Sequence, residues 1–178
     1  MVSHEHYMKM QRDSVKQKLG TLWSSSKNYS LRKDEINNTE YYWPDIDRFS
    51  FPHQIETVKP VVTEVNSFVK RKRTVLQAGG NCGIYTREYA QHYENVYTFE
   101  PDATNMNCLV LNTNDCNNII KFQACLGESQ GMTAIQNPLE IMDIGSIHVK
   151  TIEKMPENLM VVESRPNIPI LKIDDIKF

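Results

Sequence analysis

The stretch Val75–Pro101, VLQAGGNCGIYTREYAQHYENVYTFEP, constrains this chain more than any other. It reads as a short apolar strand over Thr74–Ala78, a glycine turn at Gly79, Gly80 and Gly83, a helix from about Ile84 to His92, and a second strand over Val96–Phe99 ending in an acid, Glu100. The first glycine takes a backbone conformation barred to other residues, and the next lets the main chain approach a ligand closely. Amides at the start of the helix then face that ligand, because a first turn leaves its N–H groups without partners. Glu100 follows Gly79 by about the twenty residues that bring a carboxylate to the tip of the adjacent strand, within reach of ribose hydroxyls. The stretch is therefore half of a nucleotide-binding α/β unit. The competing reading is a tight turn that holds no ligand.

The order strand, G-G-N-x-G, helix, strand, Glu-Pro resembles the class I S-adenosylmethionine-dependent methyltransferases and, within them, the FkbM-type family. That family's first motif is similar to V-x-D-x-G-A-N-x-G-x-Y, set here against Val75 to Tyr85, and its second, F-E-P, stands as Phe99, Glu100 and Pro101. Dinucleotide enzymes space their glycines as G-x-G-x-x-G, so G-G-N-x-G argues against NAD. An L-x-x-N run after the Glu-Pro pair is matched by Leu109 and Asn112, and Ala124 to Gly127 resembles the family's A-L-G turn. Ile144 to Val149 and Ile168 to Ile176 resemble its glycine-serine and T-L-D-D-L segments, so the resemblance covers about residues 60–178.

This resemblance implies S-adenosylmethionine as cofactor, with Gln77, Gly79, Gly80, Asn81 and Gly83 around its methionine end, Glu100 and the following Pro101 at the ribose, and Ala124 near the adenine. It implies methyl transfer to an oxygen or nitrogen acceptor held in near-attack geometry, with a small molecule, a metabolite or sugar, as the acceptor. Gln77 replaces the acid that opens the family's first motif; an amide keeps the hydrogen bond to the donor's amino group but loses the charge attraction. Ala124 and Cys125 stand where many methyltransferases carry a carboxylate, so the adenine contact is main-chain or absent.

The family's fourth core strand, D-x-I-K-I-D-x-E-G, has no counterpart before Phe178. Leu171–Asp175 is an alternative, degenerate fourth strand, but its place after Ile168-Pro169 fits the T-L-D-D-L segment better. The family's sheet order of 3-2-1-4-5-7-6 is then represented by strands 1, 2 and 3, an N-terminal half of the catalytic fold in which no catalytic base can be named. One edge of strand 1 is left open, and open edges recruit partners. We expect that edge to be covered by the chain's own N- or C-terminal segment, a protein partner or a second copy. Two other functions remain beside the methyltransferase: a non-catalytic binding or scaffold protein, and an enzyme that uses the same cofactor for another reaction.

Composition bounds the partners. With 178 residues and a formal charge of −2, the chain has no whole-molecule attraction to nucleic acid or anionic membrane, and neither is expected as a partner. The local exception, Lys70-Arg71-Lys72-Arg73, reads as a solvated cap complementing a helix dipole rather than as a binding patch. Cys82, Cys108, Cys116 and Cys125 form no C-x-x-C pair, which favours a reduced, cytoplasmic setting. The N-terminus has no apolar core of a signal peptide, and no run approaches the roughly eighteen apolar residues of a membrane span. His4 and His6 lack a third ligand nearby, so no metal is expected.

Taken in order, residues 1–52 read as a helical and irregular extension, with an amphipathic helix over 4–23, a polar loop over 24–40, and an aromatic cluster, Tyr41-Tyr42-Trp43, that covers the core or stacks on an adenine. Residues 53–130 form the cofactor-binding half: a helix of about Gln54–Lys70, kinked or divided at Pro60, the unit already described, a helix over Asp102–Thr113 with Met106, Leu109 and Val110 inward, and a third strand over Ile119–Cys125. Residues 131–178 carry four short β-like runs: Met132–Gln136, Ser146–Thr151, Leu159–Glu163 and Ile168–Ile173. The expected fold is α/β: a partial Rossmann-like sheet with strands 3-2-1, an N-terminal helical extension and a C-terminal β-meander.

Overall fold

A computed structural model describes residues 29–138, 148–149 and 161–176. The elements are β1 (Tyr29–Asp34), β2 (Thr39–Pro44), α1 (Ser50–Phe68), β3 (Thr74–Ala78), α2 (Ile84–Ala90), β4 (Asn95–Phe99), α3 (Ala103–Asn112), β5 (Ile119–Phe122), β6 (Cys125–Gly127), β7 (Gly131–Pro138), β8 (His148–Val149), β9 (Val161–Lys172) and a closing 3-10 turn at Ile173–Asp175.

Strands β3, β4 and β5 are parallel neighbours in that order, Val75 lying opposite Val96 and Val96 opposite Ile119. Parallel neighbours need a crossover, and α2 and α3 supply the two required here. This is the α/β, Rossmann-like 3-2-1 sheet expected from the sequence. Val96 and Thr98 on one face are fully buried, whereas Leu76 and Ile120 on the other are 39% and 42% exposed. Among the described residues, the outer edge of β3 has no partner strand.

The N-terminal side departs from the expected polar loop. Residues 24–40 include all of β1 and the start of β2, which form an antiparallel hairpin with Tyr29 opposite Pro44 and Asp34 opposite Thr39. The buried Asp34 closes its turn, accepting hydrogen bonds from the Ile36 and Asn37 amides and from Asn37 Nδ2 at 2.8, 3.1 and 2.7 Å. Asn38 takes a φ of 53°, which asparagine tolerates better than most residues. The aromatic cluster covers the core: Trp43 is fully buried and meets Phe51 edge-on at 5.1 Å. The helix expected over 4–23, and with it His4 and His6, lies outside the described residues.

Helix α1 starts earlier and ends earlier than expected, and it runs unbroken through Pro60. Its stripe of Ile55, Val58 and Val62 packs with Tyr41, Trp43, Ile84 and Cys82 into the main core. That stripe is narrower than the sequence suggested, for Val61 is 38% and Phe68 80% exposed. Helix α3 buries Leu109 completely but leaves Val110 43% exposed, against the inward placement expected for both.

The expected third strand, Ile119–Cys125, divides. β5 ends at Phe122, and β6 begins at Cys125 in a second sheet of order β6-β9-β7-β8. There β7 is antiparallel to both β8 and β9, giving the C-terminal β-meander, and β6 adds in parallel with Cys125 opposite Ile170. Of the runs read as Leu159–Glu163 and Ile168–Ile173, the residues from Val161 to Glu163 and from Ile168 to Lys172 belong to the single strand β9, which passes through Asn167 at a φ of 67°, while Leu159 lies outside the described residues. Cys125, Ile135 and Ile168 form a small core of their own. Among the described residues, no helix is long and apolar enough to cross a membrane.

Asp47 fastens the hairpin to α1. Its fully buried carboxylate accepts Trp43 Nε1–H at 2.7 Å and the Ser50 and Phe51 amides at 3.3 and 3.2 Å, with Arg32 Nη1 at 3.9 Å. Asp47→Ala would strand three hydrogen-bond donors at once and remove the charge facing Arg32, and is expected to cost about 3–5 kcal/mol. Trp43→Phe, which removes one donor and keeps most of the packing, is expected to cost about 1–3 kcal/mol. Urea midpoints at unchanged m-value measure both.

Candidate functional site

The turn after β3 is built by main-chain bonds to β4. Gly79 and Gly80 both donate to the Phe99 carbonyl at 2.9 Å, and Gly83 donates to the Gly80 carbonyl at 3.0 Å. Gly79, Asn81 and Gly83 have φ of 77°, 48° and 88°, so the loop alternates into the left-handed region three times within five residues. The two leading glycines do different work. A Cβ on Gly80 would collide with the Thr98 and Leu109 side chains, so its α-carbon lies against the sheet and α3; a Cβ on Gly79 would meet nothing within 4 Å. Open space in front of Gly79 is what a cradle for a ligand requires.

Glu100 stands at the end of β4, 4% exposed. Its Oε2 accepts the Asn81 amide at 2.7 Å and its Oε1 the Asp102 amide at 2.9 Å, so one carboxylate bridges the connections after β3 and β4. Burial raises its pKa to about 7, overcoming those two amide bonds, which favour the ionised form. Pro101 leads into Asp102, the N-cap of α3, whose carboxylate accepts the Thr104 and Asn105 amides at 2.8 and 3.0 Å. The α3 entry and the glycine turn therefore share the same acid.

Gln77 occupies the inner face of β3, where Oε1 accepts Thr86 Oγ1–H at 2.7 Å and lies 3.4 Å from Thr98 Oγ1. Ala124, 2% exposed, follows β5, and the Phe122 carbonyl accepts the Glu100 amide at 3.0 Å. All eight residues singled out from the sequence, Gln77, Gly79, Gly80, Asn81, Gly83, Glu100, Pro101 and Ala124, thus belong to the carboxyl-terminal half or end of the three parallel strands. In open α/β sheets that is the end at which ligands bind.

Three supporting residues were not singled out as site residues from the sequence. Asn112, at the end of α3, donates through Nδ2 to the Cys82 carbonyl at 2.7 Å and the Tyr42 carbonyl at 2.8 Å, and accepts the Tyr42 amide at 2.7 Å. It therefore clamps the turn to the hairpin. Thr86 and Thr98 fix Gln77 and are both fully buried. The sequence offers Asn112 only as a motif letter, since its partners lie 30 and 70 residues away. Cys82 is fully buried, and burial pushes its thiol well above the ordinary range, which leaves it a packing residue rather than a nucleophile.

No family model and no curated protein matches the chain. Among solved structures it is similar to Trm5b from Pyrococcus abyssi, at 15% identity over 55% of this chain and 28% of that one, with a TM-score of 0.43. It is similar to TYW2 from M. jannaschii in complex with AdoMet, at 18% identity over 55% and 44%, TM-score 0.41. A third, described as a putative RNA methyltransferase from Pyrococcus horikoshii, gives 15% identity over 60% and 49%, TM-score 0.34. The chain spans less than half the length of each. The expectation that excluded nucleic acid is corrected: one of these structures is described as a putative RNA methyltransferase. Its physical basis was also too coarse: a net charge of −2 averages over the whole molecule and says nothing about a local cationic surface.

The buried acid has a measurable signature. Its folded pKa of about 7 lies above the ordinary 4.5, so between those values the folded form keeps a proton that the unfolded form has lost. The contribution of Glu100 to stability is therefore greatest below pH 4.5 and is lost as pH rises through 7. Relative to Glu100→Gln, wild type is expected to lose about 3 kcal/mol between pH 4 and pH 8, read as the difference of the two urea unfolding curves. Gly80→Ala is expected to destabilise the fold by about 1–3 kcal/mol through overpacking against Thr98 and Leu109.

Proposed function

We propose that the chain binds S-adenosylmethionine at the Gly79–Gly83 turn and acts as a methyltransferase, with the FkbM-type resemblance as its finer assignment. What supports this reading above all is that the open Gly79 and the buried Glu100 carboxylate meet at the carboxyl ends of adjacent parallel strands. The residues present fit the cofactor. Glu100 has oxygen lone pairs beyond its bonds to the Asn81 and Asp102 amides and to Asn105 for ribose hydroxyls, and Gln77, two residues before Gly79, would offer its amide nitrogen to the methionine moiety. Ala124 leaves the adenine side without a carboxylate. Bound there, the cofactor would supply an activated methyl group; the protein's part is to hold donor and acceptor in line. The acceptor is an oxygen or nitrogen nucleophile, and RNA belongs among the acceptors to be assayed.

A second reading, a binding protein without methyl transfer, is favoured by one observation: Gln77 brings no charge to the turn and is already fixed by Thr86. Calorimetry of the full chain with S-adenosylmethionine and S-adenosylhomocysteine tests the shared first step. Wild type is expected to bind both, and Glu100→Ala to bind at least tenfold more weakly, about 1.4 kcal/mol. No heat from wild type at millimolar ligand would overturn the cofactor assignment, and unchanged affinity in the variant would overturn the ribose role of Glu100. Binding to both ligands without release of labelled methyl to any acceptor would favour the second reading.

Affinity should also follow the ionisation of Glu100. With a pKa of about 7, the carboxylate that accepts ribose hydroxyls is the minor form at pH 6 and the major form at pH 8. Wild-type affinity is expected to rise roughly tenfold over that interval, in proportion to the competent fraction. Glu100→Gln is expected to show no such rise.

A further inference from the structure

The basic run Lys70–Arg73 loses its bland explanation in the structure. A cation complements a helix dipole within the last turn, but α1 ends at Phe68 and has no basic residue in that turn. Lys70, Arg71 and Arg73 are exposed and Lys72 is half-buried, all in the connection between α1 and β3. Among the described residues, none of the four has an ion-pair partner. The Glu94 amide donates to the Lys72 carbonyl at 3.0 Å and the Asn95 amide to the Arg73 carbonyl at 2.8 Å, so main-chain bonds pin the connection. Two residues before the run, Phe68 is 80% exposed, more than any other large apolar side chain among the described residues.

We propose that Phe68 and Lys70–Arg73 form a docking surface for the phosphodiester backbone and bases of RNA. Four uncompensated cations in a row suit a polyanion, and an exposed aromatic ring beside them suits a partner that has π-faces as well as phosphates. An acidic peptide would use the charges but leave the ring without a matching face. The position adds to the argument. The run precedes Thr74 at the amino end of β3, whereas the glycine turn follows Ala78 at the other end, about 13 Å away along a five-residue strand. A small acceptor cannot touch both ends. A strand of several nucleotides can be anchored at one end of the sheet while presenting a nucleophile at the other.

This purpose rests on the methyltransferase reading, but the binding does not, so the experiment is run without cofactor. A fluorescein-labelled single-stranded RNA of about 20 nucleotides is titrated with the full chain between about 50 and 200 mM salt and followed by anisotropy. Wild type is expected to bind with log Kobs falling linearly against log salt. Replacing Lys70, Arg71, Lys72 and Arg73 together with Gln is expected to reduce the slope by about 0.7 for each phosphate no longer neutralised, up to roughly 3 for all four, and to weaken binding at least tenfold at the lower salt. Phe68→Ala is expected to weaken binding with the slope unchanged, a result that loss of charge cannot imitate. Circular dichroism and calorimetry with S-adenosylmethionine on the same variants separate this surface from the cofactor site. An unchanged slope in the quadruple variant overturns the proposal, as does tighter binding to phosphatidylserine vesicles than to RNA. Loss of RNA binding with cofactor binding intact supports it, and the same loss in a protein that never bound cofactor would leave the surface standing while the methyltransferase reading fell.

Discussion

The carboxylate of Glu100 holds together two connections that the sheet alone would leave independent. Its oxygens take the amide of Asn81 in the turn after β3 and the amide of Asp102 at the entry to α3. Both donors lie near the ends of parallel strands, where the ladder has run out and main-chain N–H groups must find other partners. A glutamate at this position satisfies them at the cost of a buried charge. That cost explains why an acid with two good hydrogen bonds still titrates near neutrality. The turn is also held by Phe99, whose carbonyl takes two successive amides, and from behind by Leu109 and Thr98. Rigid support of this kind is what a site that positions a ligand by its backbone requires.

The two ends of β3 differ in chemistry. The carboxyl end combines glycines, an acid with a raised pKa and backbone donors; the amino end has cations and an exposed aromatic ring. Between them the strand contributes Val75 and Gln77 to the helix-covered face, with Leu76 on the other. Side chains alternate along a strand, so Gln77 points into the polar pair Thr86 and Thr98 for the same geometric reason that Leu76 points away from it.

The parts legible in the sequence were those written locally. The strand, turn, helix and acid from Thr74 to Pro101 follow from glycine conformation and short spacings, and each lies within about two residues of the expected boundary, apart from the slightly shorter α2. The hairpin was missed because its pattern is carried by charged and polar residues. Leu31 faces solvent at 51% exposure, and burial falls on Asp34, Tyr41 and Trp43. Asn37-Asn38 was a turn signal within that stretch, and Asp34 before it supplied the closing acceptor. Division of the third strand could not be read from composition, since Ile119–Cys125 is apolar throughout apart from Lys121 and Gln123; what separates β5 from β6 is pairing with β9, more than 40 residues later. The same distance hides Asn112, whose role exists only once α3, the turn and the hairpin are together.

That clamp has a consequence for the order of folding. Asn112 joins residues 70 apart in the chain, and its three hydrogen bonds can form only after α3 has been laid against the sheet. Closing so long a loop costs entropy. The β1–β2 turn can close by itself through Asp34 and the hairpin can meet α1 through Asp47, whereas the Asn112 clamp is added only once α3 is in place. The second described element is thus tied to the seventh, while the aromatic residues of β2 already have a local cover in Phe51 and α1.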